Sequence, residues 1–379
     1  MVQAVVDVGL EVPVWVVTRG GVAVLEGEVS GVGQAQVWAL GQTAGLELPR
    51  VWGGLVDLPV GCEELDAWVG GQLVSVLGGG VGGEDQVALR AEGVFGRRLV
   101  HADRAGDVGG VSGGGFVPSG AVLVTGGTGL IGGCSARLFA GRGVSRVVLV
   151  SRSGPAAEGV AGLAGELAAL GCEVDVVSCD VSRRDAVGEL LDWAGETGVG
   201  VSAVVHSAGV AHGAPVMDLS AEGLAAASLV KVAGAMHLHE LTVERGMVLD
   251  AFVVFSSGAA VWGSGLLAGY ASANAALEAL VGQRRAAGLA GTAVAWGLWG
   301  GGGMGAGEAG EALSGFGLRK MAPQRGIQGL GEALDEGHDH LVVADIDWDR
   351  FLPTYTLHRP SPLLSSLPES IRAQQADTA

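Results

Sequence analysis

The sequence predicts an α/β protein: a Rossmann-like doubly wound parallel sheet, joined to a smaller, truncated Rossmann-like half. Three observations carry that prediction. From residue 119 onward, short valine-rich runs alternate with helical stretches, the pattern of parallel strands buried on both faces. A glycine-rich turn, Thr125-Gly-Gly-Thr-Gly-Leu-Ile-Gly132, stands directly between the first such run and the helix after it. The opening 115 residues repeat the strand–helix–strand theme more weakly, and no comparable turn follows either strand.

Taken in order, Val12-Pro-Val-Trp-Val-Val17 and Val51-Trp-Gly-Gly-Leu-Val-Asp57 read as strands around a helix at 34–46. Residues 1–115 are therefore expected to form a structural subdomain without a cofactor site. The Gly/Ser-rich stretch at 109–115 reads as a flexible linker. Residues 116–359 form the regular half, with strands expected at 121–125, 147–150, 174–177, 201–205, 252–255, 292–296 and 341–344. Helices are expected at 130–141, 156–170, 183–194, 221–244 and 268–287. The stretch 360–379, opening Pro-Ser-Pro-Leu-Leu, reads as a C-terminal linker with a polar, disordered end.

Composition narrows the function classes. The chain has 379 residues, 49% of them apolar, enough to bury a large core. Its formal charge of −18 argues against nucleic acid and anionic membrane surfaces, which need a basic footprint. The uncharged stretch 251–277 is broken by Ser256, Ser257, Asn274 and glycines, so a buried strand and helix explain it better than a bilayer span. Cys62, Cys134, Cys172 and Cys179 show no metal or disulfide spacing and read as reduced thiols of a cytoplasmic protein. No metal site is expected.

Glycine motifs need structural context here. With 69 glycines in the chain, roughly two G-x-G-x-x-G matches should arise by accident. The match at Gly127, Gly129 and Gly132 has the context, because glycines at a strand–helix turn let backbone approach a pyrophosphate at the helix N-terminus. At the end of the next strand stand Ser151-Arg152-Ser153 rather than an acid. An arginine flanked by hydroxyls suits a ribose 2′-phosphate, which favours NADPH over NADH. Cys179-Asp180-Val181 follows the third strand. Asp180 could accept from an adenine amino group, and a helix N-cap at Asp180 or Ser182 is an equally good reading.

The catalytic candidates are drawn from scarce residue types. The chain has two tyrosines, Tyr270 and Tyr355, and two lysines, Lys231 and Lys320. Tyr270 and Asn274 lie one helical turn apart on one face. Ser257 ends the fifth strand, at the edge where open sheets bind ligands. Lys231 sits on the preceding helix and can face the same crevice. Hydride delivery to a ketone leaves an alkoxide, and a phenol can protonate it if a nearby cation lowers its pKa. Lys231 would supply that cation, Ser257 would polarise the carbonyl, and Asn274 would hold a water that returns protons to Tyr270.

The ordered series Thr-Gly-Gly-Thr-Gly-x-x-Gly132, Ser-Arg-x-Gly154, Asp180-Val, His206-x-Ala-Gly-Val210, Lys231, Phe-Ser-Ser257 and Tyr270-x-x-x-Asn274 resembles the ketoreductases of modular type I polyketide synthases. These belong to the short-chain dehydrogenase/reductase superfamily. Trp38-Ala-Leu-Gly41, Trp52-Gly-Gly-Leu-Val-Asp-Leu-Pro59 and Asp347-Trp348 extend the likeness along nearly the whole chain. The superfamily's commoner lysine, four residues after tyrosine, is Asn274 here, an exchange that the polyketide branch has.

The resemblance implies a catalytic set of Lys231, Ser257, Tyr270 and Asn274. It implies NADPH against Gly126, Gly127, Thr128, Gly129, Leu130, Ile131, Ser151, Arg152, Ser153, Cys179, Asp180, Val181, His206, Ser207, Ala208, Gly209, Lys231, Phe255, Ser256 and Tyr270. The implied substrate is a β-ketoacyl chain on the phosphopantetheine arm of an acyl carrier protein, within a bacterial synthase whose neighbouring domains are partners. One stereochemical class carries Leu-Asp-Asp where this chain has Ala211-His212-Gly213. The A-type class has a tryptophan eight residues before tyrosine, matched by Trp262, which implies an L-configured hydroxyl and an indole beside the crevice. Leu267 stands where epimerising members have histidine, which implies no epimerisation. The glycine-rich 300–317 stretch, with Met304, would be a lid over cofactor and substrate.

Family members carry more structural subdomain ahead of the point matching residue 1. That implies a fragment or a short version with a missing strand and an exposed sheet edge. Two alternatives stand beside the ketoreductase reading. A free-standing short-chain reductase is opposed by the extra α/β half and the linker-like tail. A catalytically silent structural module is opposed by the intact tyrosine, lysine and glycine loop.

Overall fold

The computed structural model describes residues 1–61, 66–79, 81–102, 115–211 and 213–377. Cys62, His212 and residues 109–114 of the expected linker lie outside them. Two sheets organise the chain. The first half contains α1 (Val2–Asp7), β1 (Val14–Arg19), α2 (Val32–Glu47), β2 (Trp52–Leu58), α3 (Ala67–Leu77), β3 (Gln86–Arg90) and β4 (Gly93–Gly96). Its four strands run in the order β1-β2-β3-β4, parallel except for the β3–β4 pair. β1 is the edge strand of this sheet.

The second half begins with β5 (Ala121–Thr125), α4 (Leu130–Gly141), β6 (Arg146–Ser151), α5 (Val160–Ala169), β7 (Glu173–Ser178), α6 (Arg184–Glu196) and β8 (Val201–His206). It continues through α7 (Ala221–Ser228), α8 (Gly234–Glu244), β9 (Ala251–Ser257), α9 (Gly258–Trp262), α10 (Ala268–Ala286) and β10 (Thr292–Trp296). The last elements are α11 (Gly307–Gly315), β11 (Leu318–Arg319), α12 (Pro323–Asp335), β12 (His340–Val343), β13 (Asp345–Ile346), α13 (Trp348–Tyr355) and α14 (Pro368–Asp377). Seven strands form a parallel sheet in the order β12-β10-β9-β8-β5-β6-β7. The order reverses beside β5, which opens a crevice at the strands' carboxyl ends.

Alternation along each strand divides the core. Val122 and Val124 of β5 face one layer with Phe139, Leu167 and Leu330. Ala121 and Leu123 face the other, with Leu191, Leu238 and Leu277. The two halves meet where α2 packs on α10 through Ala35, Ala39, Ala271, Ala275 and Ala279. Side chains this small let the helix backbones approach closely.

Two expectations about shape are corrected. The single helix expected at 221–244 is α7 and α8 joined by one π-helical turn, Leu229–Ala233, which carries Lys231. The tail expected to be linker instead forms a 3₁₀ turn, Pro362–Leu364, and then α14. Leu363, Leu364 and Leu367 are buried against Val261, Trp262 and Phe351. The prolines there break regular structure, but their leucine neighbours have apolar surface to bury.

Candidate active site

Tyr270, Ser257, Lys231 and Asn274 converge. Ser257 ends β9 and caps α9 by accepting from the Ala259 N–H at 3.2 Å. Tyr270 and Asn274 lie on α10, with Asn274 Nδ2 donating to the Tyr270 carbonyl at 2.7 Å. Burial pushes the pKa of the Tyr270 phenol up, against the opposing influence of the Ser257 and Asn274 side chains. Lys231 is buried and donates to the Phe255 carbonyl at 2.7 Å. Its ammonium lies 5.5 Å from the Tyr270 ring centroid.

Lys231 stands near the phenol, but in the chain alone burial is the larger influence on it. Its ammonium faces the ring and the Phe255 carbonyl and makes no hydrogen bond to the phenol oxygen, so desolvation dominates there. The same burial pulls Lys231 down to about 8, against the opposing field of Glu278.

The π turn explains how a helical lysine comes to point inward. His206 is fully buried, with Nδ1 2.8 Å from Thr125 Oγ1 and Nε2 2.9 Å from the Lys231 carbonyl. A carbonyl only accepts, so Nε2 carries the proton and Nδ1 accepts from Thr125. Burial and the nearby Lys231 charge pull the imidazole's pKa down to about 4, which keeps it neutral. Two glycines make room: a Cβ on Gly209 would meet Lys231 Cε at 2.9 Å, and one on Gly234 would meet His206 Cε1 at 2.9 Å.

Across the crevice, the glycine turn divides its labour. A Cβ on Gly132 would lie 2.3 Å from the Gly126 carbonyl, and one on Gly127 would lie 2.7 Å from the Val124 carbonyl, so both are required by the turn's own packing. Gly126 adopts a φ of +65°, which disfavours any side chain. Gly129 is different. A Cβ there would meet only the Gly126 carbonyl, at 3.3 Å, and no side chain caps α4. This uncapped helix start with open space before it fits a bound pyrophosphate.

The exposed guanidinium of Arg152 has no hydrogen-bond or salt-bridge partner among the described residues, while Ser151 Oγ accepts from the Gly154 N–H at 3.0 Å. Asp180 accepts from the Ser182 N–H and hydroxyl at 3.1 and 2.8 Å, with one carboxylate oxygen. That turn bond holds its pKa down, helped by Arg152 and Arg183. Neither Asp180 nor Ser182 caps α6; the cap position is Arg183.

Several expected cofactor residues turn their side chains elsewhere. Cys179 and Val181 point into the core, and burial pushes the Cys179 thiol up to about 11. Phe255 and His206 are buried, and Ser207 Oγ donates to the Thr125 carbonyl at 2.6 Å. Ser256 faces the opposite side of β9 from Ser257 and donates to Glu278. Strand alternation and packing commit these side chains to the frame, so a cofactor would meet these positions through their backbone.

The stereocontrol residues also move. Trp262 is 3% exposed, so its indole does not line the crevice surface as expected. It stacks over Gly258, where a Cβ would clash at 2.1 Å, and edges onto Phe351 at 6.0 Å. The Tyr355 hydroxyl donates to the Trp262 carbonyl, so the second tyrosine is a structural anchor. Leu267 is half-buried at the start of α10, and Met304 is 54% exposed in a 3₁₀ turn ahead of α11.

Sequence reading missed Glu278. It stands one turn beyond Asn274 on the same face of α10, an acid in an otherwise apolar stretch, and that spacing was the available signal. Glu278 pairs with His340 at 3.3 Å. Among the described residues, no helix is long and apolar enough to cross a membrane.

Comparison with known proteins places this geometry. The KR domain family model matches residues 120–301. The polyketide synthase GfsA of Streptomyces halstedii is 47% identical over 98% of this chain, and the match covers 5% of that protein. The pikromycin synthase component PikAIII of Streptomyces venezuelae is 43% identical over 99% of this chain, covering 23% of that protein. The chain thus spans a small part of these relatives' length. A solved A1-type ketoreductase superposes with a TM-score of 0.91 at 45% identity, covering 98% of this chain and 77% of that one. The chain belongs to the ketoreductase domains of modular polyketide synthases, oxidoreductases of β-ketoacyl groups.

Proposed function

We propose that this ketoreductase domain uses NADPH to reduce a β-ketoacyl chain, carried on the phosphopantetheine arm of an acyl carrier protein. The product would be an L-configured β-hydroxyacyl group whose α-carbon is not epimerised. The observation that carries the reading is the convergence of Tyr270, Ser257, Lys231 and Asn274 at one sheet edge, across from an uncapped glycine turn.

When bound, the nicotinamide supplies the hydride. The Leu130 and Ile131 amides at the start of α4 would face the pyrophosphate, and Arg152 would pair with the 2′-phosphate. Ser257 Oγ would hydrogen-bond the ketone oxygen and polarise it. Tyr270 would then give its phenolic proton to the oxygen as it becomes an alkoxide. Lys231, beside the ring, would stabilise the resulting phenolate. Asn274 Oδ1 is buried without a protein partner, which suits it to hold the water that reprotonates Tyr270.

Support for the A-type reading is the Trp262–Tyr270 spacing, the absence of Leu-Asp-Asp at 211–213, and the likeness to an A1-type ketoreductase. Trp262 would act through the placement of α9, which begins right after Ser257. Leu267 supports retention of the α-configuration. The neighbouring synthase domains would deliver the carrier protein. Chiral chromatography of the product formed from a β-ketoacyl thioester and NADPH tests the reading. An L-product is expected; a D-product overturns the stereochemical type. Absence of turnover by folded, NADPH-binding protein overturns the reductase itself.

A further inference from the structure

The subdomain without a cofactor site reaches into the other half at one charged point. Glu47, in the last turn of α2, accepts from the Leu266 N–H at 2.7 Å with one carboxylate oxygen and from the Val216 N–H at 2.6 Å with the other. These amides lie on two separate segments. One runs from Gly213 through Val216 toward α7, which continues into the π turn of Lys231. The other leaves Trp262 and runs through Leu267 into the helix of Tyr270. Each segment thus leads into a helical stretch that carries one of the candidate residues, Lys231 or Tyr270.

The segments also touch each other. The Ala214 N–H donates to the Leu266 carbonyl at 2.7 Å, and Ala214 forms an isolated bridge with Leu267. Leu266 has a φ of +64°, the one positive value among described residues other than glycine. Such a backbone persists only where its surroundings over-determine it. Glu47 and Ala214 hold it from both sides. The remainder of α2 adds to the template: Gly263, at a φ of +80°, sits so close to Gln42 that a Cβ would approach its backbone to 3.0 Å. From α1, Gln3 Nε2 donates to the carbonyls of Val216, Met217 and Leu219 at 2.9, 3.1 and 3.0 Å.

We propose that Glu47 is a positioning residue for substrate orientation, clamping the Gly213–Val216 and Trp262–Leu267 segments into one rim of the reducing crevice. The inference rests on the reductase reading above. Its substrate class is the same tethered β-ketoacyl chain, whose facial presentation to Tyr270 depends on where this rim stands. A carboxylate suits the task because it accepts with both oxygens at once. Glutamine in its place accepts with one oxygen and turns an N–H₂ toward the other amide, so one strap is lost and one repulsion added.

The test uses the full chain and Glu47→Gln, with Leu266→Gly as a second variant that frees the strained position without touching α2. Hydrogen–deuterium exchange of peptides covering 213–219 and 263–268 should quicken roughly tenfold in Glu47→Gln. The minor stereoisomer, read by chiral chromatography with a β-ketoacyl thioester and NADPH, should rise roughly tenfold in both variants. NADPH affinity should stay within roughly twofold, since the cofactor side is untouched. Unchanged exchange in Glu47→Gln overturns the clamp. Faster exchange with an unchanged stereoisomer ratio overturns its role in orientation. If the unaltered chain shows no turnover, the reductase reading fails, and the exchange result alone still upholds or removes the clamp.

Discussion

The two halves of this molecule share an architecture and differ at the carboxyl ends of their strands. In the catalytic half, strand order reverses beside β5, and the turn after that strand is glycine with an open helix start. In the N-terminal half the order β1-β2-β3-β4 never reverses, so no crevice of that kind arises. After β1 the chain's own polar groups pair with one another. Asp57, fully buried, accepts from Thr18 Oγ1 and the Gly21 N–H, both at 2.6 Å, and pairs with Arg90 at 2.9 Å. Arg90 in turn pairs with Glu28 at 2.6 Å, and Trp38 Nε1 donates to Thr18. One half leaves donors free for a ligand; the other satisfies them internally. Similar topology therefore yields a candidate site in one place and a paired ion network in the other.

That contrast can be broken from either side. The largest effect on chemistry should come from Tyr270→Phe, with turnover falling roughly a thousandfold for loss of the general acid. Cofactor affinity measured by fluorescence titration should barely move; equal loss of both would make Tyr270 structural. The mirror experiment is Asp57→Ala, which takes from the buried Arg90 one of its two carboxylate partners. Denaturant unfolding should show a loss of about 3–5 kcal/mol, while turnover per folded molecule stays near normal. A selective loss of turnover would give the N-terminal ion network a part in the chemistry.

Arg152→Ala should weaken NADPH binding roughly thirtyfold and leave NADH nearly unchanged, since only one of them carries a 2′-phosphate. Equal weakening would remove Arg152 from the discrimination.

The smallest effect concerns pH. Lys231 titrates near 8 in the folded chain, so turnover should decline as pH rises through that value and the cation is lost. Stability should move the other way. The folded-state pKa is depressed, and between pH 8 and 10 the unfolded lysine holds its proton more tightly. The charged-lysine penalty, about 3 kcal/mol at neutral pH, therefore fades across that window. Unfolding of the wild-type chain and Lys231→Met, compared at pH 7.5 and 9.5 (about half a unit below and 1.5 units above the midpoint), should show the gap narrowing. A constant gap would mean the amine is not desolvated.

Much of the catalytic half was legible because its signals are local. β5 and α4 fall at Ala121–Thr125 and Leu130–Gly141, as their apolar run and glycine turn predict. The Tyr270–Asn274 pair follows from helical spacing alone. The signals failed where partners are distant in sequence. The π turn at Lys231 turns its carbonyl toward His206 Nε2 at 2.9 Å, and nothing in the 221–244 pattern encodes that meeting. Trp262 lies eight residues before Tyr270 as read, but a cluster formed by α13 and the tail buries its indole. The tail looked like linker because prolines and serines break its periodicity, yet three leucines sufficed to dock it.

By itself the sequence determined the strand–helix alternation, the glycine turn after β5 and the one-turn spacing of Tyr270 and Asn274, because each depends on neighbours within a few residues. Only the tertiary structure decided which groups face the crevice. It turned Ser256 from Ser257, committed His206 to the frame, and brought Glu47 of the N-terminal half to the Leu266 N–H ahead of α10. Those outcomes depend on contacts between segments more than 20 to 200 residues apart, and a linear pattern carries no record of which side chains will meet across them.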